Sequence, residues 1–408
     1  MKPFQKQTIK FFNKLYSKHV IFKYKLPVQL EVLKNGTFHA EKSKNMATII
    51  VPLLLGLFAT IVLGLAIWLK LLCPVTPFVK FTIGGWIWCL AMVTIFIFVY
   101  AIFATSYANC MLHSVNMTDR YVEELGQAVP AQFSATRGPT LLDYILHTIV
   151  RWALTIYGMI IFAATLLNMD PTYTVLSWAF KTFPVSYNLL VWLAFENTAL
   201  LNVTLIMVRF VTVYLTGIDV VRGFILVAVL ALMGVPLFRN LIDFCDTSAE
   251  LNTVGHRDVQ VFRNVTLLHG IPAQMNQIAS SVTLIMVTLS AVFFAYVIVR
   301  LLPTLPPVVV PLEFIGLFIS VYVAVVVCDY GAYVHEKSAN LLAKFRAKMG
   351  NMRQGREGRI LARNIKSLRP IGLHVGVGET RLFILDKDKK IWVLNSMLDY
   401  SVDAVMAY

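Results

Sequence analysis

Apolar residues in this chain come in long runs broken by short polar stretches. The runs are Met46–Leu69, Thr82–Ser106, His147–Leu167, Leu189–Leu215, Val220–Leu237, Ser281–Leu302 and Pro307–Cys328. A helix rises about 1.5 Å per residue, so roughly 20 apolar residues cross a hydrocarbon core about 30 Å thick. Most of these runs reach that length and are too long for ordinary core helices. The weak alternation and frequent breaks of an outer-membrane barrel are missing. The expected fold is all-α: a polytopic membrane protein built from transmembrane helices.

The final stretch, Ile391–Tyr408, reads IWVLNSMLDYSVDAVMAY. As a helix it is about 27 Å long, barely enough to span. Asn395, Asp399 and Asp403 recur at spacing four and share one helix face. An acidic stripe is costly against lipid and tolerable against water or partner chains. If several copies surround an axis, the stripe lines a cation path. The other reading is an amphipathic tail outside the membrane. The first makes 391–408 a seventh transmembrane, pore-lining helix, with Asn395, Asp399 and Asp403 as its pore-lining residues.

Composition agrees with a membrane class. Hydrophobic residues are 58% and charged residues 14% of 408, where a soluble domain carries about 25% charged. Mean hydropathy is +0.69. The net charge of +14 does not point to nucleic acid, because it is concentrated beside the spans. Residues 1–45 hold ten lysines against Glu31 and Glu41, and residues 330–390 hold fourteen Lys or Arg against five acids. Basic clusters flanking spans mark the cytoplasmic side. Both regions are therefore expected inside, and the crossings between them must be even. Seven runs precede 330–390, so one must not cross. Val220–Leu237 is the one to demote, as an extension of the fourth helix into the cytoplasm or a segment packed there. The expected order is a basic cytoplasmic segment (1–45), six spans (46–329) with a cytoplasmic extension (216–280), a cytoplasmic anchor segment (330–390), and the seventh span (391–408). The N-terminus is inside and the C-terminus outside.

Smaller motifs add little. Cys73, Cys89, Cys110, Cys245 and Cys328 are scattered, with no metal spacing or disulfide framework. Residues 1–45 lack an apolar signal core with a cleavage site, so no cleaved signal peptide is expected. Their lysines and interleaved aromatics fit an amphipathic segment at the membrane surface or a solvated tail. Asn35, Asn116, Asn202 and Asn264 each begin an Asn-x-Ser/Thr triplet, and none falls in an expected outer loop. Asp119-Arg120-Tyr121 follows the second span and is read as chance. Stretches around Pro171 and Pro184 read as loop. In 333–349, Leu341, Leu342, Phe345 and Met349 have helical spacing and offer either a subunit contact or an unpartnered surface helix. No histidine cluster, zinc motif, nucleophile elbow or paired catalytic carboxylates appear, so neither an enzyme nor a cofactor is expected.

After the sixth span come Ser367-Leu368-Arg369-Pro370-Ile371-Gly372, Val375-Gly376, an aliphatic-rich stretch from Arg381 to Asp386, and the short final helix. This layout resembles the arthropod gustatory and odorant receptor superfamily, in the divergent form of springtails and other non-insect lineages. The resemblance covers most of the chain in topology and residues 338–408 in pattern. The insect family carries Thr-Tyr, five apolar residues and Gln-Phe in its last span. Asp399-Tyr400 and Met406-Ala407 stand at those places here, and only the tyrosine matches. Gustatory and odorant subfamilies both stay open. The resemblance implies a chemosensory (taste or odorant) receptor of the plasma membrane. It would be a ligand-gated, non-selective cation channel, a homo- or hetero-tetramer in membrane lipid with the last spans around a central pore. It also implies a small-molecule pocket in the outer half of each subunit.

With the expected topology, Trp86, Trp88, Phe162, Trp192, Glu196, Asn197, Phe293, Tyr296 and Glu313 fall in that outer half. Small-ligand pockets are mostly apolar or aromatic with few polar groups. Glu196 and Glu313 could orient a polar or cationic ligand or pair with Arg300; aromatic packing between helices is the alternative for each ring. Two other functions compete. A secondary transporter would show repeats and broken helices near mid-membrane, of which Pro311 is the one hint. A G-protein-coupled-type receptor would need its N-terminus outside.

Overall fold

The computed structural model describes residues 3–17, 24–32, 38–72, 76–128, 141–193, 197–251, 256–307, 309–348, 356–377 and 380–407. The chain is a helical bundle with two short antiparallel hairpins. In order the elements are α1 (Pro3–Tyr16), β1 (Val28–Val32), β2 (Phe38–Lys42), α2 (Ala47–Leu71), α3 (Pro77–Ile102), α4 (Ala108–Ala128), α5 (Leu141–Leu166), α6 (Pro171–Thr182) and α7 (Pro184–Leu193). Then follow α8 (Thr198–Leu251), α9 (His256–Gly270), α10 (Ala273–Tyr296), α11 (Val310–Lys348), α12 (Arg356–Ser367), β3 (His374–Val377), β4 (Thr380–Ile384) and α13 (Lys387–Met406).

Among the described residues, six stretches are long and apolar enough to cross a membrane: Ala47–Leu71, Val79–Leu125, His147–Thr182, Thr198–Leu226, Ala273–Leu301 and Val310–Lys348. Helix α13 is outside that set, since Lys387, Asp388, Lys389, Lys390, Asp399 and Asp403 dilute it. The membrane stretches are mostly exposed along their sides, with 11–33% of each window buried, so most of their apolar surface faces outward. Exposed Leu54, Ile61, Phe98, Met159 and Phe318 are of this kind.

Helix starts follow local rules. Thr76 caps α3 by accepting from Val79 N–H at 3.2 Å, with Pro77 in the first turn. A π-turn, Phe103–Tyr107, joins α3 to α4 without ending the helix, and buries Phe103 and Ala104. Around Pro171 and Pro184, expected as loop, the chain forms α6 and α7. Each proline opens its helix, where a missing N–H is harmless, and Asp170 caps α6 by accepting from Tyr173 N–H at 2.9 Å. Helix α8 runs unbroken for 54 residues through Val220–Leu237.

Two cores lie at one end of the bundle. The described part of the N-terminal segment is not a solvated tail: one face of α1 packs on the bundle while Lys10 and Lys14 stay exposed. Ile9, Phe12 and Tyr16 of α1, with Leu26, Val28 and Leu30, pack on Phe103, Leu112, Val150, Ile225 and Leu226. Asn116 fastens the hairpin, exchanging two 2.9 Å hydrogen bonds with Ala40's backbone. The second core joins α8, α9, α11 and α12 through Leu241, Phe262, Leu342, Phe345 and Ile365. Leu341, Leu342 and Phe345, read as a subunit contact or an unpartnered face, are thus buried within the chain.

Candidate functional site

Helix α13 is held in place by what precedes it. Gln277 on α10 donates to the Thr380 carbonyl at 2.7 Å. Gly376 N–H donates to Ser281 Oγ at 2.7 Å, and that hydroxyl reaches the Gly376 carbonyl. A Cβ on Gly376 would lie 2.0 Å from the Thr380 carbonyl, so glycine is required there. Leu385, fully buried, follows β4; a Cβ on Gly331 of α11 would sit 2.5 Å from it. Asp386 then caps α13, accepting from Lys389 N–H at 2.8 Å.

The helix next packs lengthwise on α10 and α11. Lys390 pairs with Asp329 at one end. Val393 meets Leu284 and Cys328, and Met397 meets Ala291 and Ala324. Near the other end Arg300 donates to the Val405 carbonyl at 2.8 Å. Helix α13 therefore runs parallel to α10, antiparallel to α11, alongside their apolar stretches.

With Val393 and Met397 turned inward, Asn395, Asp399 and Asp403 all face out. They are not alone on that surface. Leu398 is 63% exposed, Val402 51% and Met406 73%. At about 6 Å per four residues, Asn395 to Asp403 makes a polar ladder roughly 12 Å long, bordered by an apolar row.

The expected pocket residues fall into separate places. Trp88 donates from Nε1 to Ser290 Oγ at 3.1 Å and stacks on Phe293 with ring centroids 5.7 Å apart. Phe294 lies 5.5 Å from Trp88. Phe293 and Tyr296 pack against Phe81, Val297 and Leu301. Trp86, buried against Leu63 and Ala66, donates to the Met169 carbonyl at 2.9 Å, and Met169 borders the same aromatic group. Glu313 is buried, with Oε2 unpaired among the described residues. It sits one turn beyond Val309 and Val310, which border that group, and one turn before Gly316, which abuts the Phe294 ring. Arg300 engages the Val405 carbonyl. Trp88, Phe293, Tyr296 and Glu313 thus gather in one region between α3, α10 and α11, while Trp86 turns to the α2 side of α3. Phe162 is 45% exposed and meets Phe210 edge-on. Trp192 is 69% exposed, and Asn197 caps α8 by accepting from Leu200 N–H at 3.1 Å. Glu196 lies outside the described residues.

Sequence reasoning passed over a charged network next to this region. Arg209 on α8 pairs with Asp170. It also donates to Asn168 Oδ1 and the Thr165 carbonyl, both at 2.9 Å, and lies 4.8 Å from the Tyr173 ring centroid. The signal was present: Arg209 is the one cation in Leu189–Leu215, and a charge inside an apolar run is a site candidate in its own right.

No protein-family model matches the sequence, and no curated protein matches it. Solved structures do. The insect olfactory receptor OR5 from Machilis hrabei aligns over 98% of this chain and 97% of that one, with TM-score 0.50 and 11% identity. The same receptor in complex with eugenol aligns over 99% and 98%, with TM-score 0.48 and 11% identity. At such identity the likeness is one of architecture: this chain has the polytopic helical fold of an insect olfactory receptor.

Proposed function

We propose that this chain is a chemosensory receptor, of the odorant or gustatory kind, working as a ligand-gated non-selective cation channel in the plasma membrane. Four copies assemble with their α13 helices around a shared axis. Each α13 is a seventh crossing, with the N-terminus inside and the C-terminus outside. Residues 216–280 and 330–390 form the cytoplasmic part, and Val220–Leu237 does not cross.

One observation carries this reading. Helix α13 lies along two membrane helices while presenting Asn395, Asp399 and Asp403 outward beside Leu398, Val402 and Met406. Lipid is a poor neighbour for the carboxylates, and water is a poor neighbour for the apolar row. A ring of sister helices satisfies both, with apolar rows in contact and carboxylates on a water-filled axis that attracts cations. Ligand binds between α3, α10 and α11, where Trp88, Phe293, Tyr296 and Glu313 gather. Motion there reaches α13 directly, since α10 and α11 carry both the pocket and the packing of α13. Whole-cell recording of an Asp399→Asn, Asp403→Asn double variant tests it. Cation permeability relative to chloride falls if the acids line the path; permeation and rectification like the parent's remove them from it.

A further inference from the structure

Helices α9 and α12 border a half-open cleft of about 770 Å³. Arg257, Arg263 and Arg369 line it, with polar Gln260, Asn364 and Ser367. No carboxylate is part of the lining; Asp258 and Glu357, the nearest acids along α9 and α12, lie outside it. Some basic groups on the same side of the bundle are paired, although, among the described residues, Arg359, Arg363 and Lys366 of α12 are not. Lys337 and Lys344 share Asp246 at 3.3 and 2.7 Å, and Arg239 is 3.9 Å from Asp243. Among the described residues, no acid pairs with the three cleft arginines.

The three arginines are exposed, so water screens much of their mutual repulsion, and among the described residues no acid removes the rest. A scattered solvated surface would spread them over convex ground. The volume lies within the range of small-ligand sites. Guanidinium presents paired N–H donors that match phosphate oxygens two at a time. We propose that the α9–α12 cleft binds a small, multiply phosphorylated anion, held by Arg257, Arg263 and Arg369. The anion is either free in the cytoplasm or the headgroup of a polyphosphorylated lipid. The site stands whether or not the chain conducts ions. Bound there, the anion bridges α9, which leads into α10, and α12, which leads through β3 and β4 into α13.

Inositol hexakisphosphate is titrated by calorimetry into the full-length protein in neutral detergent. In parallel, the protein is floated with vesicles of phosphatidylcholine alone or with about 5% phosphatidylinositol bisphosphate, a polyphosphorylated headgroup that basic clusters recognise. The variants are Arg263→Gln with Arg369→Gln, and, on the flank of α12 turned away from Asn364 and Ser367, Arg359→Gln with Lys366→Gln. Loss of two bidentate contacts should weaken binding at least about tenfold in the cleft variant, while the outer-face variant stays within about twofold. Arg263→Lys with Arg369→Lys keeps the charge and should fall between. Size-exclusion profiles matched to the parent exclude misfolding as the cause. Saturable binding of the soluble probe with that pattern assigns the site to a free polyphosphate. The same pattern with lipid vesicles alone assigns it to a headgroup. Equal losses in both Gln variants, or no binding of either probe, overturn the proposal.

Discussion

Asp219 holds Arg222 at 2.6 Å, one turn further along α8, with both side chains almost completely buried. The N-terminal segment closes over the pair. Arg222 donates to the Tyr16 carbonyl at 3.1 Å, and the Tyr24 hydroxyl donates to Asp219. The Tyr24 ring lies 5.2 Å from the guanidinium. Burial and the neighbouring Asp219 push the Tyr24 phenol well above its ordinary range, so it stays a donor. Removing one partner of a buried pair leaves an uncompensated charge, at a cost of about 3–5 kcal/mol. Arg222→Met should therefore release the N-terminal segment. Trypsin should then cut at Lys10 and Lys14 in α1 at concentrations that spare the parent. Tyr24→Phe, which removes a single hydrogen bond to the buried carboxylate, should cost about 1.5–3 kcal/mol and leave those sites better protected than in Arg222→Met.

The Arg209–Asp170 pair makes a sharper test, because its partners are so complete. Asp170 caps α6 and Arg209 has four acceptors around it. Arg209→Met strands Asp170 and should lower the thermal midpoint of the detergent-purified protein strongly, by about 3–5 kcal/mol of stability. Adding Asp170→Asn removes the stranded charge and keeps a capping oxygen. The double variant should recover at least half of the loss. If it is no better than the single, the contact matters as packing and not as a charge pair.

Much of the architecture is legible in the chain because lipid-facing helices have no option but to be apolar. Met46–Leu69 stands within two residues of α2, and Ser281–Leu302 covers all but the first eight residues of the Ala273–Leu301 stretch. The aspartates of α13 were readable for a related reason: spacing four puts them on one face of any helix. What escaped was set by distant partners. Nothing local says that Tyr24 belongs under Asp219, or that Asn116 holds the backbone of Ala40. The stretches around Pro171 and Pro184 read as loop in the sequence, although at a first turn these prolines start helices. The pocket divides the same way. Trp88 and Phe293 meet because α3 and α10 are neighbours, whereas Phe162 and Trp192 share only their expected depth.

His269, near the end of α9, is held low, to about 4, by burial and by nearby His374. His374 is itself pushed down by burial, Arg381 and His335. The folded state thus keeps His269 neutral where the unfolded chain, titrating near 6.5, takes up a proton. Stability is full above about pH 6.5 and declines as pH falls toward 4, because the unfolded state binds the extra proton. The loss from this one group is on the order of 3 kcal/mol. Thermal midpoints measured between pH 7.5 and 4.5 should fall for the parent and fall less for His269→Gln. Parallel curves would mean that other groups set the acid limit.

Trp88 and Trp192 divide the candidate pocket into a part with shape and a part without. Trp88 is tied to Ser290 and stacked on Phe293, so its ring is fixed from two sides. Trp192 is 69% exposed, and no partner holds its ring among the described residues. A ring that contacts ligand and is already ordered contributes without an ordering cost on binding. Once any agonist is found by screening small organic compounds, Trp88→Ala should shift its half-maximal concentration upward by about tenfold or more. Trp192→Ala should stay within about twofold, as expected for an exposed position. Glu313→Gln separates ligand classes, since a cationic agonist loses its counter-charge and an uncharged one does not. The readout is the dose–response curve with surface expression measured in the same cells. A Trp192 effect larger than that of Trp88 would move the binding region to the α7–α8 side of the bundle.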